Sequence, residues 1–321
     1  MLLVGAGFMG KEHLEAAAKS DLATYAGITD TNLENAEKLG KQFGIKVFSS
    51  IKEAVRTGNC AAADICTPTP FHISGIKECA EHGLDILCEK PLALNLKDAE
   101  EIKKVTAEKK IRIMVAQVLR FWPEYIYATE CVKNKKYGEV LSINCKRQSS
   151  SPGWNSWMMK ENIGGGAAVD LQIHDFDFIY QLLGMPQSIC AQGRIEQGAI
   201  NAVTNTLIYD KNISVINEAS YLMPASYPFR MYFCIELEHA VIEMDFWRNK
   251  SERLRIYPKD GESFPPELSS QNAYCAEIEY FAKQIIEGKP FDLVPLEESI
   301  NSLKICLKSK ESFDKKRIVK I

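Results

Sequence analysis

Asp170 and His174, in the stretch Asp170-Leu171-Gln172-Ile173-His174, are four residues apart and so lie about one turn from each other on one face of a helix. An acid so placed can orient the imidazole, stabilise its protonated form or hold a substrate hydroxyl, which suits the pair to removing a hydroxyl proton. Gly164-Gly165-Gly166 precedes that helix and lets a ligand or another backbone approach closely, while Asp177 continues the same face. A second group, Cys88-Glu89-Lys90-Pro91, places a lysine at a strand end, where its ammonium can hold the oxygen that loses the proton. The bland alternatives are a surface histidine paired with Asp170 and a solvent-facing lysine. Asp170, His174, Asp175 and Asp177 also suggest metal ligands, but a second histidine at helical spacing is missing, and no metal is expected.

The third group binds rather than reacts. Gly5-Ala6-Gly7-Phe8-Met9-Gly10 lies between an apolar run, Leu2 to Val4, and a helix-forming segment, Gly10 to Lys19. In that context Gly5 permits a tight turn, Gly7 lets the backbone approach a pyrophosphate, and Gly10 lets helix and strand pack closely. Phe8 and Met9 are packing or cofactor-contacting residues. Asp30 follows the next apolar run, twenty residues beyond Gly10, where a carboxylate accepts the hydroxyls of an adenosine ribose and repels a 2′-phosphate. These features predict NAD, preferred over NADP. The alternative for Asp30 is a cap on the helix that starts near Asn32.

The elements that must position these groups alternate. Strands at Lys46-Val47-Phe48, Ala63 to Cys66, Asp85 to Cys88 and Arg112 to Val115 are separated by helices at 51–57, 72–82 and 97–109. That order predicts α/β architecture, a Rossmann doubly wound parallel sheet. Thr67, Pro68, Glu89 and Lys90 then follow strand C-termini, the edge where open α/β sheets bind ligands. After Pro123 a helix leads to alternating segments at 139–147, 188–196, 203–209, 213–221, 229–237, 240–247 and 253–257, which predict an α+β half with a largely antiparallel open sheet. The boundary falls near Arg120 to Pro123, giving domains 1–121 for the dinucleotide and 122–321 for substrate, catalysis and oligomerisation.

With GAGFMG, DICTPTPFH, CEKP, QVLRFWPEY, GGGAAVDLQIHDFD and the C-terminal EIEYFAKQIIEGKPF in this order, the chain resembles the glucose-fructose oxidoreductase / inositol dehydrogenase / MocA family from Leu2 to Ile321. The resemblance implies a C-terminal α+β domain, catalysis by Lys90, Asp170 and His174, and His72 with Thr67 and Pro68 near the cofactor. It implies an NAD-dependent dehydrogenase acting on a secondary alcohol of a sugar or cyclic polyol, inositol being one candidate. Two other functions remain open: glycoside cleavage through a transient oxidation, and a sensor that binds dinucleotide or sugar without turnover. Arg120 reaches substrate hydroxyls or the nicotinamide ribose, or forms an interdomain salt bridge. Trp154, Asn155 and Trp157 combine indoles with an amide in a way that suits sugar faces and hydroxyl edges, or else the indoles anchor a loop.

Composition sets the outer bounds. Across 321 residues, 39 Lys and Arg against 42 Asp and Glu give a formal net charge of −3, without a long basic run, so nucleic acid is not an expected partner. Ten cysteines show no CxxC pair and read as reduced thiols of a cytoplasmic protein. No stretch is long and apolar enough to predict a membrane span. The open sheet and the apolar alternation of Met231 to Ile235 predict a homodimer or homotetramer through the C-terminal sheet.

Overall fold

The computed structural model describes residues 1–57, 59–153, 156–210 and 212–321. The chain divides into two compact units, Met1–Phe121 with Gln271–Ile300, and Trp122–Ser270 with Asn301–Ile321. The chain first leaves the first unit between Phe121 and Trp122. Residues 271–300, which the sequence reading counts with the second domain, belong to the first unit instead.

In chain order the first unit begins with β1 (Leu2–Val4), α1 (Phe8–Ala17), β2 (Gly27–Thr29), α2 (Leu33–Phe43), α3 (Ile51–Thr57), β3 (Ala62–Ile65), α4 (His72–Glu81), β4 (Asp85–Glu89), α5 (Leu96–Lys109) and β5 (Ile113–Ala116). The five strands are all parallel in the order β2-β1-β3-β4-β5. β1, β3 and β5 are buried throughout, as strands covered on both faces must be. Lys46-Val47-Phe48 does not form a full sixth strand. It meets β2 through a bridge between Ile28 and Val47, because the chain turns into α3 immediately afterwards. Asn32 and Asn95 cap α2 and α5 by accepting the backbone N–H three residues on.

The second unit runs α6 (Pro123–Lys133), β6 (Val140–Ser150), α7 (Gln172–Leu183), β7 (Ser188–Glu196), β8 (Ala199–Ile208), β9 (Ser214–Met223), β10 (Arg230–Leu237), β11 (Ala240–Asp245) and β12 (Leu254–Pro258). α8 (Ala273–Glu287) then joins the first unit, α9 (Leu296–Lys315) crosses back, and β13 (Val319–Lys320) closes the sheet. The eight strands lie in the order β12-β11-β10-β6-β9-β8-β7-β13. Every pairing is antiparallel except β6 with β9.

Alternation divides the two faces of this sheet. Met231, Phe233 and Ile235 are buried with Ile143, Cys145 and Val215, and Phe178 of α7 packs on Phe233 with ring centroids 5.1 Å apart. The opposite face carries Asn144, Lys146, Glu218 and Tyr232, with a Lys146–Glu218 ion pair of 3.3 Å. The apolar alternation of Met231 to Ile235 therefore serves the core, and it supplies no argument for a partner on the open face.

Candidate active site

The glycine loop is built by close approach. Gly5 has φ +106°, and a Cβ there would stand 2.7 Å from the Cys66 carbonyl carbon; a Cβ at Gly10 would overlap the Gly5 carbonyl oxygen. Gly7 differs, because nothing lies within 4 Å of where its Cβ would be. It is also the residue before α1, where it has no side chain of its own to cap the helix. Beside the loop, the Thr67 hydroxyl is buried without a protein hydrogen-bond partner. Open space at Gly7, a helix N-terminus behind it and an orphaned hydroxyl are what a dinucleotide phosphate fills, so the residues present fit that cofactor. Phe8 is 48% exposed, whereas Met9 packs against the core of Leu3, Leu14 and Ile28.

Asp30 does not cap α2; Asn32 does. One Asp30 oxygen accepts the Ala6 N–H at 2.6 Å and the other the Asn32 N–H at 2.7 Å. The carboxylate is thereby pinned beside the glycine loop, and its remaining lone pairs can still accept from hydroxyls.

Lys90 stands at the end of β4, half-buried, with a cis peptide bond to Pro91. Its backbone N–H donates to Glu89 Oε2 at 2.9 Å, and Glu89 Oε1 faces His13 Nε2 at 3.2 Å. Glu89 is thus turned inward. So is His72, at 1% exposure, with Nε2 2.8 Å from the Thr67 carbonyl and Nδ1 3.3 Å from that of Leu92. Burial lowers its pKa. His72 braces two loops of the ligand edge from behind.

Arg120 is also buried. It is 9% exposed, and its Nη1 donates to the Leu293 carbonyl at 2.8 Å and to Glu298 at 2.6 Å. Both partners belong to the first unit, so the guanidinium ties 271–300 into that unit.

In the second unit a π-helical turn, Ala167–Leu171, leads into α7. Asp170 lies in that turn and His174 in the first turn of α7, a local irregularity that often marks functional sites. Asp170 is buried and accepts from the Tyr221 hydroxyl of β9. Burial, with the Asp170 charge second, pushes the Tyr221 phenol well up. His174 is partly exposed, with Nδ1 enclosed. The glycine triplet seats other backbone rather than a ligand: a Cβ at Gly164 would overlap the Met158 carbonyl, and one at Gly166 would lie 2.8 Å from that of Ile200.

The other acids of α7 are committed elsewhere. Asp175 pairs with Arg147 at 2.7 Å in full burial, and Asp177 accepts from Ser302 of α9 at 3.0 Å. Asp177 therefore holds α9 rather than extending the Asp170–His174 face. Trp157 is half-buried in a 3₁₀ turn, Ser156–Met159; Trp154 and Asn155 lie outside the described residues.

Sequence reasoning missed His13, Glu277 and Tyr221. Tyr221 was legible, since Val215, Asn217, Ala219 and Tyr221 alternate on the buried face of β9. His13, three residues after Gly10, turns toward the sheet by helical register. Glu277 lies on α8 and gave no signal, because its neighbours are more than 180 residues away in sequence.

Two models of one family match the chain in succession. Residues 1–117 match "Oxidoreductase family, NAD-binding Rossmann fold", and residues 125–243 match "GFO/IDH/MocA C-terminal domain". The chain belongs to the Gfo/Idh/MocA family. Among its members, the rhizopine catabolism protein MocA of Rhizobium meliloti is 30% identical over 57% of this chain and 56% of its own length. The chain spans about half the length of several curated relatives that it matches. The scyllo-inositol 2-dehydrogenase (NAD(+)) of Bacillus subtilis is 25% identical over 97% of this chain and 93% of its own. A putative myo-inositol dehydrogenase structure from Sinorhizobium meliloti is 25% identical with a TM-score of 0.84, covering 100% of this chain and 98% of that one. This Gfo/Idh/MocA chain has no helix, among the described residues, long and apolar enough to cross a membrane.

Proposed function

We propose that the protein is an NAD-dependent dehydrogenase that moves a hydride between a secondary alcohol of a sugar or cyclic polyol and nicotinamide, with inositols as the first substrates to try. The observation that carries this reading is the cradle at Gly7, open and flanked by the orphaned Thr67 hydroxyl, in a family whose N-terminal domain is described as NAD-binding. When bound, nicotinamide supplies a two-electron acceptor. The first N–H groups of α1 would hold the pyrophosphate, and Asp30 the adenosine ribose hydroxyls. Its negative charge disfavours a 2′-phosphate, hence NAD over NADP.

His174 takes the hydroxyl proton at Nε2, the ring nitrogen left once Nδ1 is enclosed. Asp170, held by the Tyr221 hydroxyl, orients that ring or a substrate hydroxyl. The Lys90 ammonium holds the reacting oxygen and favours loss of its proton. Trp157, with Trp154 and Asn155, is assigned to the sugar on residue type alone. A cytoplasmic homodimer or homotetramer goes with this reading, and ten free cysteines suit a reducing compartment.

The test follows reduced-nicotinamide absorbance with NAD, and separately NADP, over inositols, hexoses, pentoses and sugar acids. The expected result is a rise with one substrate class, faster with NAD. His174→Ala should lower kcat by about a hundredfold or more while dinucleotide affinity stays within about twofold. Full turnover by that variant would remove His174 from the reaction.

A further inference from the structure

The densest group of ionisable side chains outside the proposed reaction lies inside the first unit, around His13. The ring is fully buried, with Nδ1 2.9 Å from Asp64 Oδ2 and Nε2 3.2 Å from Glu89 Oε1. The second contact is ionic rather than an aligned hydrogen bond. The other Glu89 oxygen accepts the Lys90 N–H at 2.9 Å, so two contacts in series run from His13 to the lysine. Every element packed against the ring contributes a titratable group. Tyr25, between α1 and β2, donates to Asp64 of β3; Cys66 lies 3.6 Å from Nδ1; Glu89 ends β4; Tyr274 and Glu277 come from α8, the Tyr274 ring centroid being 6.3 Å from that of His13.

A neutral imidazole has one N–H and one lone pair, so with one nitrogen toward each of two carboxylates it would turn a lone pair on one of them. A doubly protonated ring attracts both. We infer that His13 is a positioning residue for Lys90: its charged ring holds Asp64 on one side and Glu89 on the other, and Glu89 in turn holds the turn that presents the lysine. Burial opposes the charge, but the Asp64 carboxylate and Cys66 outweigh it and carry His13 well above the ordinary 6.5. Burial pushes the Glu277 carboxyl well up, which disfavours a third negative charge beside the ring. The chain of contacts ends at the lysine to which the dehydrogenase reading gives a role, and the inference rests on that reading for its functional meaning.

The experiment needs no substrate. Full-length protein is trace-labelled with dinitrofluorobenzene between pH 6 and 10, and Lys90 is quantified by peptide mass spectrometry, with the exposed Lys11 and Lys104 as internal standards. Glu89→Gln, a near-isosteric change, should alter the Lys90 labelling profile by about threefold at its steepest point, about half a pH unit of linkage, and leave both standards unchanged. His13→Gln should do the same if it folds. Imidazole nitrogen NMR should show a doubly protonated His13 at pH 8. An unaltered Lys90 profile in folded Glu89→Gln, or a His13 ring that titrates near 6.5, overturns the inference. A protein that oxidises no sugar yet shows the altered profile would defeat the dehydrogenase reading while upholding the link from His13 to Lys90.

Discussion

Glu277 shows what a single buried acid does to the pH response of the fold. Its carboxyl is fully buried with neither oxygen hydrogen-bonded, and burial raises its pKa well above 4.5. The folded form therefore binds a proton that the unfolded chain releases above about pH 4.5, so this group's contribution is full below that pH and is lost as pH rises through the folded pKa. Glu277→Gln removes the titration. Its melting temperature should match the parent near pH 4 and exceed it at pH 8, by about 2–4 °C for each kcal/mol recovered. A variant less stable than the parent at pH 8 would mean that Glu277 is ionised against His13. At this scale the sequence was readable where a motif fixes the environment: Asp30 and Lys90 each follow the end of a strand, and Asp30 is bonded to the glycine loop. It was silent on the carbonyl partners of Arg120 and His72, because only tertiary packing turns these side chains toward distant backbone.

Among elements, the glycine loop offers a clean separation of folding from binding. Gly7 has φ −84° and open space where a Cβ would go, so Gly7→Ala should melt within about 2 °C of the parent, as an unstrained substitution without new contacts does. Calorimetric titration with NAD should nonetheless show affinity reduced by about tenfold or more, since the added methyl occupies the space where the backbone meets the pyrophosphate. Equal affinity would place the phosphates elsewhere. The strands of the second sheet were legible because alternation with period 2 survives burial of one face. The parallel pairing of β6 with β9 was not, since register between distant segments leaves no local mark. Nor was the π-helical turn at Ala167–Leu171 visible, because its hydrogen-bond shift is set by backbone packing at Gly164 and Gly166. Lys46-Val47-Phe48 has strand composition but too little length beside β2 to build a ladder.

For the whole molecule, the division into units is discontinuous in sequence, and no local residue pattern marks the return of 271–300 to the first unit. α8 covers α1, brings Tyr274 and Glu277 to His13, and stacks Phe281 on Phe291 with centroids 5.3 Å apart. A fragment of residues 1–121 should therefore lack a cooperative melt by circular dichroism. Residues 1–121 joined by a short linker to 271–300 should regain one and bind NADH by fluorescence; a cooperative melt from 1–121 alone would show that α8 is dispensable. The same arrangement imposes an order on biosynthesis. About 150 residues separate Phe121 from Gln271, so at 5–20 residues per second the emerging nucleotide-binding half spends roughly 7–30 s outside the ribosome before the helix that seals its charged interior exists. During that interval its carboxylates and imidazole face water, and chaperones meet a parallel sheet with all five strands in place but without the helix that covers α1.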